Sequence, residues 1–128
     1  MISIKELESV KTLGAFDRYR YFIKKIANSG KLWTLKDIDG NLTLAELDGK
    51  LLISFWSAEE YIDSCLDGAW KDHSPECIML DDLDKEVIPL VRINKYLINI
   101  FPVDNKSGFI VTLDEFIHDL NTELSNYE

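Results

Sequence analysis

The stretch Leu32-Trp33-Thr34-Leu35-Lys36-Asp37-Ile38-Asp39-Gly40-Asn41-Leu42-Thr43-Leu44-Ala45-Glu46-Leu47-Asp48-Gly49-Lys50-Leu51-Leu52-Ile53-Ser54-Phe55-Trp56 decides the fold class. Three short apolar runs, 32–35, 42–45 and 51–56, are separated by two Asp-Gly pairs, Asp39-Gly40 and Asp48-Gly49. Glycine accepts a positive φ without steric cost, so Asp-Gly between apolar runs is a strong hairpin signal. Two such turns in succession predict a three-stranded meander.

Helical patterns flank this region. Phe16, Tyr19, Phe22, Ile23 and Ile26 recur at helical spacing and predict a helix over 15–28, stopped at Asn28-Ser29-Gly30. A shorter helix is expected over 3–12. Downstream, Ser57-Ala58-Glu59-Glu60 has capping-box spacing and predicts a helix to about Ala69, with Tyr61, Ile62, Cys65, Leu66 and Ala69 as its apolar stripe. Cys77 to Leu80 reads as a short strand. Asp81 or Asp82 is expected to cap a helix running to about Ile93, kinked or broken at Pro89. Residues 96–101 and 108–111 read as two further strands. Thr112-Leu113-Asp114-Glu115 repeats the capping-box spacing, before a last helix that buries Leu113, Phe116, Ile117, Leu120, Leu124 and Tyr127.

The reading is therefore α+β: residues 1–128 as a single domain, with a mainly antiparallel sheet of about five to six strands and flanking helices. A chain of 128 residues can carry its own core. No apolar run approaches the roughly 18–20 residues of a membrane span. The N-terminus does not read as a signal peptide, so the expected location is the cytoplasm. Cys65 and Cys77 are too few for a disulfide framework and fit no zinc-ribbon spacing.

Charge is divided unevenly. Residues 1–36 carry eight Lys/Arg against three Asp/Glu, and residues 37–128 carry six against twenty. Residues 57–86 hold ten acids against Lys71 and Lys85. Phosphates would be repelled by such a surface, so nucleic acid is not the expected partner, and neither is a membrane. A basic protein is the better electrostatic match.

The order of motifs resembles a bacterial family known as the domain of unknown function 2750. The likeness is carried by Arg18-Tyr19-Arg20-Tyr21-Phe22-Ile23-Lys24-Lys25-Ile26-Ala27, Leu32 to Asp37 and the paired Asp-Gly turns. It continues through Phe55-Trp56-Ser57-Ala58-Glu59-Glu60-Tyr61, Gly68-Ala69-Trp70, Ile88-Pro89, Ile100-Phe101-Pro102 and Thr112 to Phe116. It covers about residues 17–122 and implies a small α+β domain. Family members usually show Trp-Pro-His after the third strand, whereas Trp56 is followed here by Ser57-Ala58. The resemblance brings no catalytic residues.

No catalytic motif is present. His73 sits in a connector and His118 on the polar side of the last helix, and neither belongs to a metal-ligand spacing. The acids from Asp81 to Glu86 suit a helix start and do not follow the EF-hand pattern. No cofactor is expected. The residues selected for binding a partner are Glu59, Glu60, Asp63, Asp67, Asp72 and Asp81, with Tyr61 or Trp70 as an aromatic anchor. Trp33, Trp56 and Trp70 are otherwise read mainly as core. The function expected is a non-enzymatic module that neutralises a basic protein, in its concrete form an immunity protein cognate to a toxin or effector domain. The alternatives are a regulatory or structural adaptor, and a small carboxylate-based hydrolase or metalloprotein.

Overall fold

In the computed structural model, which describes residues 2–66, 68–104 and 106–127, the second Asp-Gly pair forms the tight turn its sequence predicts. Asp48 and Gly49 both have positive φ, 52° and 78°, as a two-residue type I′ turn requires. They fold β2 (Leu44–Leu47) onto β3 (Lys50–Phe55), antiparallel, with Leu47 opposite Lys50 and Leu44 opposite Ile53.

The first pair does not complete a meander. β1 (Lys31–Lys36) pairs instead with β4 (Ser74–Met79), antiparallel, with Lys31 opposite Met79 and Lys36 opposite Ser74. Two local causes are visible. The Asp37 carboxylate accepts from the backbone N–H of Asp39 and of Asn41, each at 3.0 Å, tying 37–41 into a self-contained loop. In addition, Trp33 and Trp56 exchange backbone hydrogen bonds of 2.8 Å. β1 and β2 therefore occupy successive stretches of the same edge of β3 and touch each other only through the Lys36–Leu42 bridge.

On its other side β3 pairs in parallel with β5 (Leu97–Ile100), which pairs antiparallel with β6 (Phe109–Val111). The order β2-β3-β5-β6 forms one sheet and β1-β4 a second. The architecture is a small α+β domain with mostly antiparallel strands. Its one parallel pair is connected by the long segment between Trp56 and Tyr96, as parallel strands require.

Helices cover the sheet where the apolar periodicity predicts. α1 (Ile4–Lys11) starts at Ser3, whose Oγ accepts from the Glu6 N–H. α2 (Ala15–Ser29) buries Tyr19, Phe22, Ile23 and Ile26. It packs against the helix Leu113–Leu124, whose start carries the complete Thr112/Glu115 capping box. Phe116 joins the layers, with its ring 6.2 Å from Phe22 and 5.9 Å from Phe55. Leu113 and Leu120 are buried beside it, and the Tyr127 side chain lies outside the described residues. Around Pro89 the chain stays helical. α3 (Leu80–Asp82) leads through a π-helical turn, Leu83–Val87, into α4 (Ile88–Asn94), and the Leu113–Leu124 helix is α5. The wider turn accommodates a proline that lacks an N–H and would crowd the carbonyl one turn back. Met79, not Asp81 or Asp82, caps this segment.

The stretch after Ser57 departs furthest from expectation. It is not an α-helix but three 3₁₀ turns, Glu59–Tyr61, Asp63–Cys65 and Gly68–Trp70. The capping box does not form. Ser57 Oγ is buried without a hydrogen-bond partner, and the Glu60 carboxylate accepts the Ile2 N–H at 3.2 Å instead. With the local cap diverted, tertiary contacts set the path: Tyr61 and Ile62 are fully buried, and Cys65 Sγ lies 3.4 Å from the Pro102 carbonyl.

Beneath this stretch lies a buried cation. Arg18, 2% exposed, donates from Nε to the Phe101 carbonyl (3.0 Å), from Nη1 to Leu13 (2.5 Å) and from Nη2 to Ser107 (2.7 Å). It has no carboxylate partner among the described residues, and burial lowers its pKa. Its target is strained: Phe101 has φ of 66°, unusual for a bulky residue. Trp56 Nε1 donates to the next carbonyl, Pro102, at 2.6 Å. Arg18, Trp56 and Phe101-Pro102, all within the motifs that carry the resemblance, thus fasten one turn together.

Candidate functional site: an acidic recess beside Trp33

The largest recess, about 610 Å³, lies between the start of α1, the end of α2, β1 and the first two 3₁₀ turns. Its lining includes four carboxylates, Glu6, Glu59, Glu60 and Asp63, against two lysines, Lys25 and Lys31. Lys25 is committed to Glu6 by an ion pair of 3.1 Å and lies 5.5 Å from the centre of the Tyr21 ring. Glu59 and Asp63 are exposed and have no ion pair among the described residues.

One wall is a polar chain. Tyr21 donates a very short hydrogen bond to Glu6, and the Tyr21 and Tyr61 hydroxyls lie 3.1 Å apart. The Tyr21 bond, together with Lys25, holds the Glu6 carboxyl below its ordinary range. Burial, reinforced by the hydrogen bond to Glu6, pushes the Tyr21 phenol well above its usual value, and burial likewise raises that of Tyr61. Both phenols stay neutral at physiological pH and act as fixed hydrogen-bonding posts.

Another wall is apolar. Trp33 is part-buried and lines the recess. Directly opposed strand residues share a face, so Trp33 and Lys31 of β1 stand beside Cys77 and Met79 of β4. Cys77 is exposed, and Met79 is 49% exposed.

The residues selected from sequence separate into groups. Glu59, Glu60 and Asp63 converge on the recess, though Glu60 is partly occupied by Ile2. Tyr61 is fully buried against Phe101, at 4.6 Å between rings, so it supports the recess from beneath and offers no exposed anchor. Trp70 is part-buried and packs edge-on against Trp56 at 6.2 Å. Asp72 lines a separate, smaller recess with Asp37, Asp39, Lys71 and His73. Asp81 is exposed and pairs with Lys85 one helical turn on. Asp67 lies outside the described residues.

Sequence reasoning assigned Trp33 to the core. Its place at the recess depends on β1 pairing with β4, and only the alternation of Lys31 and Trp33 along the strand hinted at a shared face. Among the described residues no group of three His, Cys, Asp or Glu side chains could hold a metal ion. His118 is exposed on α5, and His73 Nδ1 lies 3.4 Å from the Thr43 hydroxyl. Chemically, the recess offers an indole face and free carboxylates, a combination suited to a lysine or arginine side chain through charge and cation–π attraction.

No curated protein matches the chain. A family model described as "Protein of unknown function (DUF2750)" matches residues 19–120. That range takes in β1 to β6, the recess walls from Tyr21 to Asp63 and most of α5, and the chain therefore belongs to the DUF2750 family.

Proposed function

We propose that the protein is a small acidic binding module that docks a basic protein at the Trp33 recess, and that it serves as an immunity protein against a cognate toxin domain. The observation that supports the reading is the pairing of unneutralised Glu59 and Asp63 with a part-exposed Trp33 around the largest recess. Interfaces commonly gain most of their energy from a few aromatic and charged anchors, while charge complementarity raises the rate of encounter. In this reading the recess receives a cationic side chain of the partner, Trp33 covers its apolar stem, and the net charge of −9 steers the approach. A basic cleft meant for phosphate is then filled by carboxylates. The protein contributes no chemical step.

The test is affinity capture from the native host with the wild-type chain and with a Glu59→Lys/Asp63→Lys variant, followed by mass spectrometry. The expected result is a basic protein retained by the wild type and lost by the variant, whose expression alone arrests the host and whose toxicity co-expression relieves. Equal retention by both baits removes the recess from the mechanism. A captured partner that is harmless when expressed alone removes the immunity role.

A further inference from the structure

A second surface lies at the free edge of β2. β2 is the outermost strand of the four-stranded sheet, so one row of its backbone N–H and C=O groups faces away from β3 without a strand to pair with. The other outer strands differ. β4 carries Pro75, which removes a donor, and β6 is three residues long. Beside β2 runs a groove of about 380 Å³ lined by Leu42, Leu44, Ile53, Leu90 and Tyr96 together with Gly40 and Asn41. Leu47 and Leu51, 49% and 43% exposed, extend this apolar border. Around it stand Asp39, Glu46 and Asp48, all exposed and without an ion pair among the described residues.

We infer that β2 is a strand-addition site, which takes an extended segment of a partner chain that alternates apolar and basic residues. Backbone groups of the segment would complete the open ladder, its apolar side chains would enter the groove, and its cations would meet Asp39, Glu46 and Asp48. A second copy of this chain is the wrong occupant, because antiparallel β2–β2 pairing would set Glu46 and Asp48 against their own copies. The inference shares with the proposed function only the positive charge of the partner.

The test uses the full ¹⁵N-labelled chain and the peptide acetyl-Lys-Val-Lys-Val-Lys-Val-Lys-amide at 150 mM salt. Comparison peptides are the same sequence with glycine for valine, and two versions N-methylated either at the valines or at the lysines. The expected result is saturable shifts centred on Leu44–Leu47 with slowed amide exchange there. The glycine peptide and one of the two N-methylated peptides should bind at least tenfold more weakly, and Glu46→Lys should weaken the parent peptide by a similar factor. The Glu59→Lys/Asp63→Lys variant should bind the parent peptide within twofold of wild type, which separates this site from the recess. Absence of saturable binding, shifts centred on Trp33, or equal affinity for all four peptides would overturn the inference.

Discussion

Replacing Arg18 with methionine should be among the most damaging single changes in the protein. Methionine fills much of the same volume but cannot donate, so the carbonyls of Leu13, Phe101 and Ser107 all lose their guanidinium partner. Ser107 is exposed and Leu13 part-buried, so water can replace two of the three bonds, whereas Phe101 is fully buried. An orphaned buried carbonyl costs about 1–3 kcal/mol, and each rehydrated one loses about 0.5–1 kcal/mol. Relief from burying a charge offsets part of this. The left-handed Phe101 also loses one of the contacts that hold its strain. The net expectation is a loss of about 3 kcal/mol, which at an m-value of about 2 kcal/mol/M lowers the urea midpoint by about 1.5 M. Arg18→Lys should not restore stability, because a point charge cannot reach three divergent carbonyls and is harder to dehydrate. Urea unfolding monitored by tryptophan fluorescence measures both variants. A midpoint for Arg18→Met within about 0.3 M of wild type, a difference of about 0.6 kcal/mol on the same m-value, would refute the fastening role. A wild-type midpoint for Arg18→Lys would show that charge, not the geometry of the fork, is what matters.

Three further outcomes follow from the same structure. Gly108→Ala should cost about 2 kcal/mol in a thermal or urea melt, since a Cβ there would collide with the Asn99 side-chain oxygen and the Ile100 carbonyl; a loss under about 0.5 kcal/mol would mean that the β5–β6 junction yields easily. Thr112→Ala removes one half of the α5 capping box and should cost about 1 kcal/mol, while Thr112→Ser should be nearly silent. Glu6 has a pKa lowered by its bonds to Tyr21 and Lys25, so its contribution is present above the unfolded value of 4.5 and is lost as pH falls through the folded one. Wild type should therefore lose more stability than Glu6→Gln between pH 5 and pH 2, and parallel curves would contradict the assignment.

The parts of the fold visible in the sequence are those set by local chemistry. Asp48-Gly49 dictates its hairpin, Thr112 and Glu115 cap α5 from within four residues, and the stripe from Tyr19 to Ile26 marks α2. What was not visible depended on distant partners. Asp39-Gly40 looks as good a turn as Asp48-Gly49, yet β1 is drawn to β4 and to Trp56. Ser57 and Glu60 have ideal capping spacing, yet Ile2 takes the carboxylate. Arg18 reads as one more cation on a polar helix face, and nothing local marks it as buried. The recess shows the same division. Its acids were legible as a charge run, but the aromatic beside them was not Tyr61 or Trp70, because burial of Tyr61 and the edge-on packing of Trp70 are tertiary facts.

The central claim is that Glu59 and Asp63 draw a basic protein to the Trp33 recess. The most direct measurement is the association rate of the captured partner with wild type and with Glu59→Lys/Asp63→Lys at 20 mM and 300 mM salt. The account predicts a slowing of about tenfold or more at low salt, shrinking to about threefold or less at high salt. An association rate unchanged by the charge reversal at 20 mM salt would contradict it.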